Sequence, residues 1–176
     1  MAVSETTVRF AGPSEVDAAV AVWRASNEAR IGGPPTPPET ETMVRGWMAS
    51  PDAILLVAER EGRIVGMTLA VASRAVDDAG RVTPEHPVVP GLCYVSLVFV
   101  APDAWGEGIG ARLLDALLTE IARRGYGRVQ LWTHETNVRA RRLYASRGFT
   151  LTNDRQVNPA GETIMRFERP LWETRP

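Results

Sequence analysis

Three glycines alternate in Trp105-Gly106-Glu107-Gly108-Ile109-Gly110, after an apolar run and before a stretch of helical periodicity. That order can hold an anion. The first N–H groups of a helix have no partner inside it, and the aligned peptide dipoles put partial positive charge at the same end. Phosphate satisfies both. Glycines there remove side chains that would keep a pyrophosphate away from the amides, and they reach backbone angles closed to other residues. The candidate contacts are Gly106, Glu107, Gly108, Ile109, Gly110 and Ala111. Two other phosphate loops do not fit. A Walker loop ends in Gly-Lys-Ser/Thr, and the chain has no lysine. A dinucleotide fingerprint needs G-x-G-x-x-G, whereas these glycines alternate.

A second constellation is Asn137-Val-Arg-Ala140-Arg-Arg-Leu-Tyr144-Ala-Ser-Arg-Gly148-Phe149. Offsets of three and seven put Asn137, Ala140 and Tyr144 on one helix face, spread over about 10 Å of axial rise. Taken alone, Asn137 reads as an N-cap and Tyr144 as a packed aromatic. Beside an anion cradle, the same face can carry a long ligand arm: Asn137 offers amide donors and acceptors, Ala140 leaves room and Tyr144 brings a phenol. Proton acceptors are less obvious. His134, Glu135 and His86 are candidates, with Tyr94 and Ser96 as holders of water; His134 also reads as a loop residue before the next helix.

These residues need a frame. Ile109, Leu113, Leu117 and Ile121, with Leu114 and Leu118, repeat at helical spacing and predict a helix seated on a sheet and ended by Gly125 and Gly127. Leu92 to Val100 is the strand that feeds it, and Arg128 to Thr133 is a second buried strand. Upstream, Thr7 to Ala11 predicts a strand. Ser14 predicts the N-cap of a helix fading near Ala29, with Val16, Ala19, Val20 and Trp23 as its buried stripe. The stretch Ile31 to Pro35 is a loop. Thr36-Pro37-Pro38-Glu39 has the form of a capping box for a helix to Ser50, whose Met43, Val44, Trp47 and Met48 share a face. Ala53 to Ala58 and Arg63 to Ala72 flank Glu61-Gly62 as a hairpin, and Gly66 marks a bulge or close approach. From Ser73 to Gly91, Pro84, Pro87 and Pro90 predict an irregular segment, long enough to line a pocket. Glu162 to Glu168 predicts a strand after a Pro159-Ala160-Gly161 turn, and Pro170 to Pro176 a tail. There is no internal repeat.

The glycine turn and the Asn137 to Phe149 segment together resemble the GNAT superfamily of acyl-CoA-dependent N-acetyltransferases. Its cofactor loop reads Gln/Arg-x-x-Gly-x-Gly/Ala after a strand, and its later motif reads N-x-x-A-x-x-x-Y-x-x-x-G-F. Gly108 and Gly110 match the first, Asn137, Ala140, Tyr144, Gly148 and Phe149 the second. Trp105 departs from the usual Gln or Arg. The resemblance implies a mixed α/β fold with a twisted, mostly antiparallel sheet and helices on both faces. It implies acetyl-CoA as co-substrate, no metal, and transfer to a primary amine of a small molecule or peptide by direct attack in a ternary complex. It also implies backbone contacts from Val98, Phe99 and Val100 to the pantetheine arm, and Tyr144 as general acid. The helix to Ser50 and its preceding loop would overhang the acceptor. Homodimers are common in the family, yet no stretch of this chain points to one. The alternatives are a protein N-terminal acetyltransferase, or an acyl-CoA sensor without turnover.

Composition bounds the reading. With 176 residues, 44% of them hydrophobic, the chain suits one domain spanning 1–176 with a substantial core. The net charge of −1 argues against a general nucleic-acid binder. Residues 1–104 hold 8 Arg against 13 Asp and Glu, and residues 105–176 hold 12 against 8, so the basic half contains the anion site. Cys93 is the only cysteine, which suits a reducing cytoplasm and reads as a small core residue. Neither a signal peptide nor a membrane span is expected from the sequence.

Overall fold

The computed structural model of the protein describes residues 5–31, 37–77, 82, 85–158 and 161–171. Among the described residues, seven strands and four α-helices follow one another in the order β1 (Thr7–Phe10), α1 (Val16–Ile31), α2 (Pro38–Met48), β2 (Ile54–Arg60), β3 (Arg63–Arg74), β4 (Val88–Val100), α3 (Ile109–Arg123), β5 (Arg128–His134), α4 (Val138–Ser146), β6 (Thr150–Val157) and β7 (Thr163–Pro170). The strands hydrogen-bond in the order β1-β2-β3-β4-β5-β7-β6. Pairing is antiparallel for β1–β2, β2–β3, β5–β7 and β6–β7, and parallel for β4–β5. The mixed, mostly antiparallel α/β architecture expected from the sequence is the one found.

The chain forms two compact units, Met1–Val71 with Leu97–Glu120, and Ala72–Ser96 with Ile121–Pro176. In the first, the apolar stripe of α1 supplies Ala19, Val20, Val22 and Trp23 to a buried cluster with Val44 of α2, Val57 of β2, Met67 and Leu69 of β3, and Leu97 of β4. Met43, expected on the inner face of α2, is instead exposed. Every apolar position predicted on α3 is buried, Leu113, Leu114 and Leu117 completely.

Gly66 supplies the close approach that its place in a strand suggested. A β-carbon there would lie 2.8 Å from Leu113 Cδ1, 3.2 Å from Ile109 Cγ2 and 3.3 Å from Ala58 Cβ. Helix α3 therefore seats its first two turns against bare backbone. The register of β2 on β3 also shifts between Ala58 and Glu59, beside the same glycine.

In the second unit, burial along β5 alternates strictly, with Val129, Leu131 and Thr133 buried and Gln130, Trp132 and His134 half-buried between them. One face of this part of the sheet is thus covered, and the other remains partly open.

Several boundaries differ from the sequence reading. Ser14 is not an N-cap: Pro13–Glu15 is a 3-10 turn preceding α1, and the Glu15 carboxylate accepts from Gly12 N at 2.7 Å. Helix α1 continues to Ile31. Thr36 and most of the Ile31 to Pro35 loop lie outside the described residues; α2 starts at Pro38 with Pro37 as its cap residue and no side-chain cap bond. Val88, Val89 and Pro90 already belong to β4, although prolines were expected to keep this stretch irregular. Pro90 precedes the β4–β5 ladder, which begins at Leu92, and so removes no hydrogen bond from it. The rest of the proline-rich segment includes 78–81, 83 and 84, outside the described residues. Pro159, Ala160 and 172–176 of the expected turn and tail also lie outside them. Strand β7 extends through Pro170. Strand β6 was missed because Thr150–Val157 is a polar edge strand, exposed at nearly every position, with no apolar alternation to reveal it.

Arg9 on β1 clamps two carboxylates, reaching Glu15 at 2.6 Å and Glu59 at 2.5 Å. The guanidinium and the Gly12 amide together lower the Glu15 carboxyl to about 2. A carboxylate depressed by folding stabilises the native state above its unfolded value near 4.5 and loses that contribution as pH falls toward 2. Glu15→Gln is therefore expected to lower Tm at pH 7 while leaving it nearly unchanged at pH 2, measured by calorimetry at both values. Gly66→Ala is expected to destabilise by about 1–3 kcal/mol in urea titrations, because Leu113 and Ala58 cannot both withdraw from the new methyl group.

Candidate functional site

The expected anion cradle lies in the first unit. Trp105 to Gly108 leave the 3-10 turn Pro102–Ala104 and enter α3 at Ile109. Gly108 occupies the N-cap position, its carbonyl accepting from Arg112 N at 3.2 Å. Its φ is +77°, a left-handed conformation that an L side chain adopts only with strain. Gly106 is left-handed as well, at +89°. Gly110 is not: it sits within the first helical turn, where what matters is its missing side chain. The amides of Ile109, Gly110 and Ala111 are thus the first-turn donors of α3.

Gly106, Glu107 and Gly108 are exposed, and a β-carbon built on Gly108 meets nothing within 4 Å, so open space adjoins these donors. Glu107 would repel an anion, but its carboxylate is ion-paired with Arg60. The donor set and the space fit a diphosphate.

Trp105, the departure from the family loop, has a structural task. Its indole Nε1 donates to Val100 O at 2.7 Å, tying the turn back to the end of β4. The Val100 carbonyl, expected to meet the pantetheine arm, therefore already accepts a hydrogen bond. Leu97 O is likewise engaged, by Thr68 Oγ1 at 2.8 Å. Val98 and Phe99 lie between them, half-buried. A groove of about 730 Å³ elsewhere in this unit is lined by Arg9, Glu15, Ala18, Ala21, Ile64 and Pro102 among others, and contains none of the predicted site residues.

The second unit holds the other motif. Asn137 is the N-cap of α4, its Oδ1 accepting from Ala140 N at 3.1 Å. The capping reading is thus correct for the carbonyl oxygen, and this bond does not use the NH₂ group. Tyr144 is buried, 7% exposed, with its ring edge-on to Phe149 at 5.9 Å and tilted against Phe167 at 6.1 Å. Gly148 makes this possible. At φ +80° it reverses the chain after α4, so that Phe149 N reaches Tyr144 O at 3.1 Å and the Phe149 ring comes back onto the tyrosine. Burial, with a smaller effect from Tyr94, pushes the Tyr144 phenol well above its ordinary range. Tyr94 is itself pushed up to about 12 by burial. Both remain protonated at neutral pH.

The β4–β5 ladder ends at Val95↔Leu131, although β5 continues to His134. Ser96 follows the last paired residue of β4, and its buried Oγ has no hydrogen-bond partner among the described residues.

The three candidate bases differ in setting. Glu135 is exposed, and its backbone bonds Thr163 O and Arg141. The carbonyl of His86 accepts from Arg74 Nη1 at 3.0 Å. His134, at the end of β5, places Nε2 3.0 Å from Glu162 Oε2. Asn158 Nδ2 also donates to Glu162 Oε2, at 3.0 Å. Sequence reasoning named neither Glu162 nor Asn158 as a site residue, because only the β6–β7 hairpin brings them back to His134. Cys93 is buried in the core, as expected.

Comparison with known proteins bears on the family and the fold. The family model described as acetyltransferase (GNAT) family matches residues 19–149. An uncharacterized N-acetyltransferase of Archaeoglobus fulgidus is 33% identical over 102 residues, covering 57% of this chain and 63% of that protein. A mycothiol acetyltransferase of Stackebrandtia nassauensis is 38% identical over 98 residues, 54% of this chain and 28% of that protein. The chain thus spans less than two thirds of the length of these relatives. Among solved structures, the ribosomal-protein-S18-alanine N-acetyltransferase of Escherichia coli superposes with a TM-score of 0.72 at 19% identity, covering 97% of this chain and 96% of that one. The Salmonella typhimurium protein yncA, solved with its cofactor acetyl-CoA, gives 0.73 at 22% identity over 98% of both chains. Among the described residues, no helix is long and apolar enough to cross a membrane.

Gly108→Ala tests the cradle. The forced left-handed alanine is expected to cost about 1–2 kcal/mol of stability. By tilting the first-turn amides it is also expected to raise the Kd for coenzyme A about tenfold, as read by calorimetric titration.

Proposed function

The chain belongs to the GNAT family of acetyltransferases, and from that premise we propose that it moves an acetyl group from acetyl-CoA to an amine of a small molecule or peptide, by direct attack within a ternary complex. The observation that carries this reading is the left-handed Gly108 at the N-cap of α3, which leaves the amides of Ile109, Gly110 and Ala111 beside open space. In this reading they take the diphosphate, with Gly106 and Glu107 forming the rim. Backbone groups of Val98 and Phe99 meet the pantetheine arm, and Asn137 contributes its NH₂ group.

The chemistry sets the remaining requirements. A primary amine with pKa near 10.4 is neutral only about once in 2,500 at pH 7, a penalty of roughly 4.6 kcal/mol, so a proton must be removed before attack. The carbonyl oxygen gains charge during attack, and a main-chain N–H near Val98 is suited to stabilise it. The leaving thiolate needs a proton. Tyr144 is the donor in this reading, because burial keeps its phenol protonated and α4 carries it on the face expected for the ligand arm. The single, buried cysteine suits a reducing cytoplasm.

Calorimetric titration with acetyl-CoA, followed by a thiol-release screen over small amines and peptides, tests the assignment. Binding with turnover on at least one amine supports it, whereas tight binding without turnover on any of them would make the protein an acyl-CoA sensor. Tyr144→Phe is expected to lower kcat by about 10- to 100-fold while coenzyme affinity stays within about twofold. An unchanged kcat would remove Tyr144 from the acid role.

A further inference from the structure

The turn that leads into α3 has the wrong charge for an anion. From Pro102 to Gly108 it carries Asp103 and Glu107 and no basic residue. Two carboxylates beside a diphosphate oppose its binding, at separations where salt screens only in part. Arg112, the first cation of α3, is engaged elsewhere, its Nη2 donating to the Thr6 carbonyl. The compensating charges come from the tip of the β2–β3 hairpin. Arg60 and Arg63 are the last Cα partners of the two strands there, on either side of Glu61 and Gly62. Both loop residues are left-handed, at φ +53° and +75°, as a two-residue type I′ turn requires. Glycine takes such an angle freely, whereas Glu61 does so at a cost.

Direct opposition puts the two arginines on one side of the hairpin, where like charges repel. The turn offsets this: Arg63 Nη2 lies 2.7 Å from Asp103 Oδ2, and Arg60 Nη1 pairs with Glu107 Oε2. Arg63 holds the Asp103 carboxyl below the usual carboxylate range, with a smaller effect from Arg60. Ala101 N also donates to Val65 O at 2.8 Å, which pins β3 beside the start of the turn. The two ion pairs differ in exposure. Arg63 and Asp103, at 55% and 61%, stand largely in water, where a pair contributes little. Arg60 is confined, with its side chain 20% exposed, and among the described residues its guanidinium hydrogen-bonds only Glu107.

We infer that Arg60 is a ligand of the coenzyme's diphosphate, carried to the turn by the β2–β3 hairpin and held there by Glu107. This inference rests on the acetyltransferase reading. A guanidinium has five N–H donors in a rigid fork, and the bond to Glu107 uses one of them. The others can meet phosphate oxygens while the ion pair persists, a charge-assisted contact of the kind arginine makes best. The bond to Glu107 also keeps the positive charge within about a Debye length of the turn, where solvent screening is incomplete. Glu107 itself acts in two directions, orienting Arg60 and repelling the anion. Because the hairpin already confines Arg60, the repulsion is the larger of the two.

Calorimetric titration with coenzyme A, and with dephospho-coenzyme A, which keeps the diphosphate and lacks the 3′-phosphate, tests this without turnover. Arg60→Gln is expected to raise both Kd values about tenfold, through loss of one charge-assisted contact. Glu107→Gln is expected to lower both about two- to threefold, through loss of the repulsion. The double variant is expected to bind about tenfold more weakly than Glu107→Gln alone. A double variant that matches Glu107→Gln would reduce Arg60 to a screen for that carboxylate and overturn the inference. A loss seen with coenzyme A and not with its dephospho form would overturn it too, by placing Arg60 at the 3′-phosphate. If Arg60→Gln unfolds, Arg60→Lys decides instead: the charge stays and the fork is lost, so about threefold weaker binding is expected, and unchanged binding overturns the inference. Wild-type protein that binds neither nucleotide would remove the cradle as well, whereas a binding wild type with Arg60→Gln within about twofold of it would remove only the role of Arg60.

Discussion

The seating of α3 on bare backbone at Gly66 is the constraint on which the first unit depends. Because no side chain stands there, Ile109 and Leu113 reach into the strand and fix the first two turns of the helix. The amides of that first turn are consequently held in place by packing on the far side of the helix. A donor array of this kind has little reorganisation to undergo when an anion arrives, which is the condition under which first-turn amides bind well. Trp105 adds to the same rigidity by hydrogen-bonding the turn to the end of β4. A residue that departs from the family loop is, in the folded chain, a brace for the turn that leads into α3.

The second unit solves a different problem, that of burying a phenol among aromatic rings. Gly148 reverses the chain so that Phe149 closes on Tyr144 from one side, while Phe167 of β7 lies against it from another. Burial raises the phenol's pKa and so preserves its proton, and the aromatic contacts restrict its rotamers. The spacing of tyrosine, glycine and phenylalanine in this motif is therefore a packing rule as much as a chemical one. The histidine at the end of β5 is treated in a similar way, with a carboxylate and an amide from the neighbouring hairpin setting its orientation.

Much of this was legible beforehand. Helix α3 repeats its apolar residues, and three alternate glycines mark the turn before it and its first helical turn. Motif, element and buried face could all be read together. Two kinds of feature could not. Exposed or irregular elements such as β6 and the proline-bearing start of β4 lack the periodicity that identifies a strand, because their stabilising partners are hydrogen bonds and not buried side chains. Cap positions also shifted: Ser14 has the right chemistry for an N-cap, yet a 3-10 turn intervenes and Glu15 satisfies the Gly12 amide in its place.

By itself the sequence determined the family, the mixed α/β class, the helix that carries the cradle and the residues Gly108, Asn137 and Tyr144 as those to watch, since each follows from local spacing and backbone stereochemistry. Only the tertiary structure decided that Val100 O is engaged by Trp105, that Phe167 of β7 lies against Tyr144, and that His134 faces Glu162 instead of standing alone. These are contacts between residues brought together by strand pairing, hairpin closure and a chain reversal. Such contacts depend on register and side-chain direction in three dimensions, which residue types and their spacing along the chain do not specify.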